Sequence, residues 1–448
     1  MTEQAVDLCE AASVLPSAGR GGERRKRWGS KERVERKGRV EREGREGRGA
    51  VRALVLVSLA AVLANASWFS ATAVVPALRS EWHLTPAAAA GLVIAVQVGF
   101  VTGSVGAALL NLPDRLEGRR LISGAAVAAA AANLGLLGAH GLLVAVPMRF
   151  LVGVALAGVY APAIRLVASY YERGRGVATG VVVGALTLGS STPHLVRGFS
   201  DVSWRVTIVV TTGLALCAAL AAGSVRTGPA AAPSPTLDIG AAARALVRER
   251  ALRLTTLGYL GHMWELYALW SWLAAFYIAS RSASTGASPG VTETGAVAFS
   301  AIGVAGFAGA VVAGQVADRI GRTATTSGAM LLSGACCLAS PILFGARAWL
   351  LIGLLLVWGA TVIADSAQFS AAVTELAEPR YAGSVLALQL AFGFTLTIVS
   401  IRLVPVVTDH AGWRFALLPL AAGPLLGTVA MLRLRGLPAA VRLAGGRR

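Results

Sequence analysis

The chain has 448 residues, of which 55% are hydrophobic and only 14% charged, with a formal net charge of +18. Soluble domains carry roughly 25% charged residues, so this chain has too little charge to cover a water-facing surface. Its positive excess does not mark a nucleic-acid binder, because it sits in one tail, Arg20 to Arg48, and in short loops between apolar runs.

Residues 1–51 read as a basic tail. The stretch Gly21 to Gly49 mixes Arg, Glu and Gly with almost no apolar content, so it is expected to be disordered. No apolar run with a small-residue cleavage site follows inside it, which argues against a signal peptide. A lipid-binding basic arm is the functional reading of the same charges. From Val51 to Leu434 long apolar runs recur, each near the ~20 residues that cross a bilayer core as a helix.

Twelve spans are predicted. Spans 1 to 6 are Arg52–Leu78, Ala87–Leu110, Leu121–Ala139, Leu142–Leu166, Gly176–Val196 and Trp204–Val225. Spans 7 to 12 are Leu252–Ala279, Thr294–Val316, Thr323–Leu343, Trp349–Ser370, Ala382–Val404 and Phe415–Leu434. The expected division is an N-terminal six-helix bundle over 52–225, a cytoplasmic linker over 226–251 with Pro229, Pro233 and Pro235, a C-terminal six-helix bundle over 252–436, and a basic tail over 437–448. The fold class is therefore an all-α membrane protein. Cys9, Cys217, Cys336 and Cys337 have no metal-site or disulfide-framework spacing and read as small packing residues.

Orientation follows from the bias of Arg among short loops. One set of loops carries Arg115, Arg119 and Arg120; Arg173 and Arg175; Arg248 and Arg250; Arg319 and Arg322; and Arg380. Both tails fall on that side, whereas the opposite loops carry chiefly Arg79, Arg197, Arg281, Arg347 and Arg414. Both termini are expected in the cytoplasm, which requires an even number of spans. The halves also repeat. LPDRLEGRR (Leu112–Arg120) follows span 2 and VADRIGR (Val316–Arg322) follows span 8; SWRV (Ser203–Val206) precedes span 6 and GWRF (Gly412–Phe415) precedes span 12. The order is that of a parallel duplication of two six-helix units.

At these residues the sequence resembles the major facilitator superfamily of secondary transporters. The family's loop signature, G-x-x-x-D-R-x-G-R-R/K, is matched closely by Gly314, Asp318, Arg319, Gly321 and Arg322. The first copy keeps Asp114, Arg115, Gly118, Arg119 and Arg120 but has Leu110 for the leading Gly and one extra residue after Arg115. Arg149–Gly153 fits the family's R-x-x-x-G in span 4, and Gly180, Gly184, Gly189 and Pro193 fit its glycine-spaced span 5. The resemblance implies two pseudo-symmetric bundles with a midplane cavity lined by spans 1, 4, 7 and 10, and with spans 2, 5, 8 and 11 behind the seam. In physical terms, the loop charges would pair across a cytoplasmic seam and bias one of two packings. The bland reading of the same arginines is that they only set topology.

Ionisable side chains inside a span are costly and point to a pathway or site. Glu265 lies near mid-depth of span 7, and His262, three residues earlier, shares its helix face. Either can exchange protons near neutral pH, and the structural alternative is an interhelical hydrogen bond. Arg149 would meet an anionic substrate or a carboxylate. Asp365 and Gln368 share a face of span 10, and Arg402 near the end of span 11 reads as a snorkelling residue. Uncharged candidates are Asn65, Trp68, Gln97 and Gln389, with Tyr267 and Trp270 available for stacking and Trp272 closer to an aromatic belt.

The sequence lacks a P-loop, an HExxH pair and a GxSxG elbow, so neither an enzyme nor a cofactor or metal is expected. The leading reading is a multi-pass transporter of the plasma membrane, working by alternating access on a small-molecule substrate and protons. It is expected to be monomeric in membrane lipids and without nucleic-acid partners. The strings GHMWELYA and RGVATGVVVGALTLGS lean toward nitrate- and cyanate-type permeases and hence a small anion or metabolite. The alternatives are a drug/proton antiporter and, in another class, a non-transporting membrane sensor.

Overall fold

A computed structural model describes residues 47–110, 112–171, 175–199, 203–228, 238–378 and 380–447. Most of the basic tail, Arg173, and the prolines of the linker lie outside the described residues, as does the side chain of Asp114. The chain divides into two units, Met1–Arg52 and Ala53–Arg448, and the second carries the bundle.

Among the described residues there is no strand, and the helices follow one another in fourteen stretches, some made of two helices end to end. The first is α1 (residues 47–65) and α2 (Ser70–Glu81). Then come α3 (Pro86–Leu109), the short α4 (Leu112–Arg115), α5 (Gly118–Leu134), α6 (Leu142–Ala168), α7 (Arg175–Phe199) and α8 (Trp204–Gly223). After α9 (Ile239–Arg248), the second half has α10 (Arg250–Thr285), α11 (Val291–Ala298), α12 (Gly306–Ile320), α13 (Arg322–Leu343), α14 (Ala348–Ala364), α15 (Ser366–Leu376), α16 (Ala382–Ala411) and α17 (Ala422–Arg435). Among the described residues ten stretches are long and apolar enough to cross a membrane; α7 and α10 are also long but carry more polar side chains.

Three predicted spans are continuous in sequence but interrupted in space. Span 1 breaks at 66–69, where Trp68 N–H turns back to the Asn65 carbonyl at 2.9 Å. Span 10 breaks at Asp365, which ends α14 and begins α15. Span 8 contains a π-helical segment, Phe299–Ala305, between α11 and α12. Such irregularities strand main-chain groups in lipid unless protein groups meet them.

The linker also differs from expectation, because it holds an amphipathic helix. Asp238 caps α9 by accepting from Ala241 N–H at 2.7 Å, and Ala242, Ala245 and Leu246 bury its apolar stripe.

Small residues set the closest helix approaches, and they do so twice. In the first half α3 and α6 meet so tightly that a Cβ on Gly99 would lie 2.0 Å from Phe150 O, and one on Gly153 2.1 Å from Val96 O. In the second half a Cβ on Gly309 would lie 2.0 Å from Ala360 O, and one on Gly359 1.9 Å from Ala301 O. No side chain fits at these four positions. The halves meet each other through α3 against α16 and through α7 against α11 and α12.

Candidate solute and coupling site

The groups facing the seam are aromatic. Trp68 at the break of span 1 lies 5.0 Å from Phe100, 5.6 Å from Tyr267 and 5.8 Å from Phe394 between ring centroids, and Phe100 lies 4.4 Å from Phe394. The contacts of Trp68 and Phe100 with Tyr267 and Phe394 cross from the first half to the second and close the middle of the molecule. Beside them is a central cavity of only about 30 Å³, room for a water or two. Asn65, Trp68 and Tyr160 face it from the first half, and Tyr267, Trp270 and Phe394 from the second. Asn65 is itself fixed across to α7, donating to Leu186 O at 2.9 Å and to Ser190 Oγ at 2.7 Å.

Span 5 supplies Leu186 and Ser190 and span 11 supplies Phe394, so the wall is broader than spans 1, 4, 7 and 10 alone. None of the ionisable candidates faces this cavity among the described residues. The reason is helix rotation. Met263, Leu266, Tyr267 and Trp270 recur at helical spacing on the cavity face of α10, which turns His262 and Glu265 into the second half's own interior.

Arg149 is 1% exposed and spends its donors on the break of span 1. One guanidinium nitrogen donates to Ser67 O at 2.9 Å and Ser70 Oγ at 3.0 Å; the other donates to Trp68 O. Ser70 Oγ donates onward to Asn133 Oδ1 at 2.6 Å, and Asn133 Nδ2 donates to Thr211 and Thr212 hydroxyls, each at 3.0 Å. In this arrangement Arg149 meets main-chain carbonyls of the break, and no carboxylate, among the described residues.

Glu265 is 2% exposed. Its Oε1 accepts from Trp358 Nε1 at 2.5 Å, Ser333 Oγ at 2.6 Å and Cys337 Sγ at 3.1 Å. All three donors are neutral and lie on α13 and α14. His262 turns instead to α15, with Nδ1 2.8 Å from Asp365 Oδ1, at ion-pair distance but out of line for a hydrogen bond. The residues share a helix, yet each bonds away from the other, because three residues leave their directions some tens of degrees apart. Gln97 and Gln389 are fully buried, and neither amide has a protein partner. Arg402 is exposed.

The loop charges differ from a seam of cross-half pairs. Arg322 forks onto Glu375, Nη2 to Oε1 at 2.6 Å and Nε to Oε2 at 2.8 Å, and donates to Gln368 Oε1 at 2.8 Å, all inside the second half. Arg119 pairs with Glu117 at 2.6 Å, and Arg120 with the same carboxylate at 3.8 Å. Arg115 and Arg319 are exposed, Gly118 packs beside Leu166, and Gly314 is buried. Asp318 has no ion pair among the described residues; its carbonyl accepts from Arg447. Gly321 sits at φ +96° between α12 and α13, a turn open to glycine and strained for other residues.

The sequence matches the Major Facilitator Superfamily over residues 57–400. The chain belongs to the Major Facilitator Superfamily. Among solved structures it is similar to the proton:xylose symporter XylE bound to 6-bromo-6-deoxy-D-glucose, with 14% identity and a TM-score of 0.67 over 87% of this chain and 96% of that one. No curated protein matches by sequence. Superfamily membership makes this a multi-pass membrane transporter. Its buried polar groups include several that sequence reading passed over: Asn133, His194, Ser333 and Trp358, and the half-buried Glu375 was passed over as well. His194 and Asn133 were visible as polar residues inside apolar runs. Trp358 and Ser333 were not, since nothing in an isolated span tells which side chains converge on Glu265.

Proposed function

We propose that the chain is a proton-coupled secondary transporter of a small organic anion or related polar metabolite, working by alternating access in the plasma membrane. The observation that supports coupling is Glu265, a buried carboxylate held only by neutral donors. A bare charge at that depth costs several kcal/mol, and three donors on Oε1 offset part of it. That leaves Oε2 to take the proton. The ionised and neutral forms differ in how tightly they hold Ser333 and Trp358, so proton binding biases the packing of α10 against α13 and α14. The same helix carries Tyr267 and Trp270 on its cavity face. A shift of α10 therefore reaches the solute, and the solute reaches the proton.

The solute class rests on the cavity wall, where the described residues offer an amide, hydroxyls and aromatic faces but no carboxylate. We take residues 52–225 and 252–436 as the rocking bodies, joined by 226–251 and followed by the tail 437–448, with the loops bearing Arg119 and Arg322 in the cytoplasm. A cysteine at Ser288 should then react with an impermeant thiol reagent in intact cells, and one at Gly240 should not.

The deciding experiment is uptake into proteoliposomes of labelled acetate, benzoate and xylose, with and without an imposed pH gradient. Accumulation of a carboxylate driven by the gradient is expected. Glu265→Gln should abolish that accumulation while leaving solute exchange intact. A Glu265→Gln protein that accumulates solute at the wild-type rate would reject Glu265 as the coupling group, and accumulation of xylose alone would replace the anion reading.

A further inference from the structure

A second cavity lies at the end of the molecule that bears the loop between α10 and α11. Its volume is about 190 Å³, below the ~300–1,000 Å³ of pockets for drug-sized ligands. Residues of α2, α3, α7, α10 and α11 wall it, so it straddles the seam between the halves. Most of the wall is apolar, with Val75, Ala275, Ile278 and the Trp272 side chain.

Two polar groups in that wall are buried and unpartnered. His194 is 7% exposed and its Nε2 has no hydrogen-bond partner; Thr294 is 9% exposed and its Oγ1 has none. They stand on opposite halves, His194 on α7 and Thr294 on α11. The two helices touch at this level, since a Cβ on Gly295 would lie 2.4 Å from His194 O. A buried donor left unmade is costly, and two converging on one cavity mark a place where an acceptor belongs. Arg197 and Ser271 line the same wall, and no carboxylate does among the described residues.

We propose that this cavity is a binding subsite for a small organic carboxylate. One carboxylate oxygen accepts from His194 Nε2–H and the other from Thr294 Oγ–H, while the hydrocarbon body lies on Trp272 and Ile278. The choice of a carboxylate rests on the anion reading above; the cavity and its two donors do not. A ligand held in this way bridges α7 and α11 beside the existing bond from Thr292 Oγ1 to Gly198 O at 2.6 Å. It therefore favours the arrangement in which this seam is closed.

The test is isothermal titration of benzoate, and of its neutral isostere benzamide, into the purified full-length protein in nanodiscs. Saturable benzoate binding is expected, with benzamide about tenfold weaker or worse. Thr294→Val keeps the shape and should weaken benzoate about tenfold. His194→Ala should do the same, and His194→Gln, which restores a donor, should recover most of the loss. Ala275→Trp, which fills the cavity, should abolish binding. The subsite is read by benzoate binding to the His194 and Thr294 variants and the coupling reading by gradient-driven uptake of Glu265→Gln, so failure of the one and failure of the other stay distinct. Absence of benzoate binding, equal affinity for benzamide, or wild-type affinity in both Thr294→Val and His194→Ala would overturn the proposal. If Thr294→Val does not fold, the His194→Ala and His194→Gln pair decides.

Discussion

Arg149 in the first half is 1% exposed and Glu265 in the second is 2% exposed, yet the two buried charges are treated in opposite ways. The guanidinium is anchored to main-chain carbonyls of Ser67 and Trp68 that a break in span 1 leaves open. A guanidinium stays charged at neutral pH, and it shares the Ser67 carbonyl with the Ser70 hydroxyl, which donates to it at 3.0 Å. The carboxylate is held by a hydroxyl, a thiol and an indole, none of which carries charge. It can gain or lose a proton without stranding a buried cation. The difference shows that buried charge alone does not identify a coupling group. What matters is whether the partners tolerate a change of protonation.

The halves are equivalent where glycine sets the spacing, and the largest expected effects fall there. Gly153→Leu and Gly359→Leu each push a side chain into main-chain atoms of the facing helix, beyond the ~1–3 kcal/mol of ordinary overpacking. Neither should give monodisperse protein by size-exclusion chromatography. A protein that tolerates one and not the other would break the equivalence of the two helix pairs. Next is Arg149→Ala, which strands the Trp68 carbonyl at about 1–3 kcal/mol and should lower the melting temperature together with transport. If Arg149→Ala melts like the wild type, the anchoring role is wrong and the contrast with Glu265 collapses. Glu265→Gln should leave the melting temperature within a few degrees while removing gradient-driven accumulation, a separation of stability from function that Arg149 should not show.

The smallest effect lies at the edge of the second half, outside the spans. The Tyr381 hydroxyl donates to Glu249 Oε1 at 2.6 Å, and chiefly through that bond its pKa is pushed up from 10.0 to about 12. The folded chain then keeps a proton that the unfolded chain releases between those values. The contribution to stability is full below the unfolded pKa of about 10 and is lost as pH rises through the folded value. Tyr381→Phe should flatten the fall of melting temperature across that alkaline window, and an unchanged slope would show that the bond does not hold α16 to the start of α10.

The all-helical membrane fold and the superfamily were legible in the sequence, because a bilayer demands ~20 apolar residues per helix and the loop motifs are local strings. The residues that could carry charge in the membrane were legible for the same reason: Glu265, His262, Arg149 and Asp365 stand out against apolar neighbours. Which way they point was not. Rotation of α10 puts Tyr267 and Trp270 on the cavity and Glu265 behind it, and that angle is set by packing of α10 against α16 and α17, contacts far apart in sequence. The break at 66–69 likewise carries no proline or glycine to announce it; it persists because Arg149, more than 75 residues later, satisfies the carbonyls it exposes. Hydropathy is a property of each segment and can be read one span at a time. The pairing of a donor with an acceptor belongs to two segments at once, and only the tertiary structure brings them together.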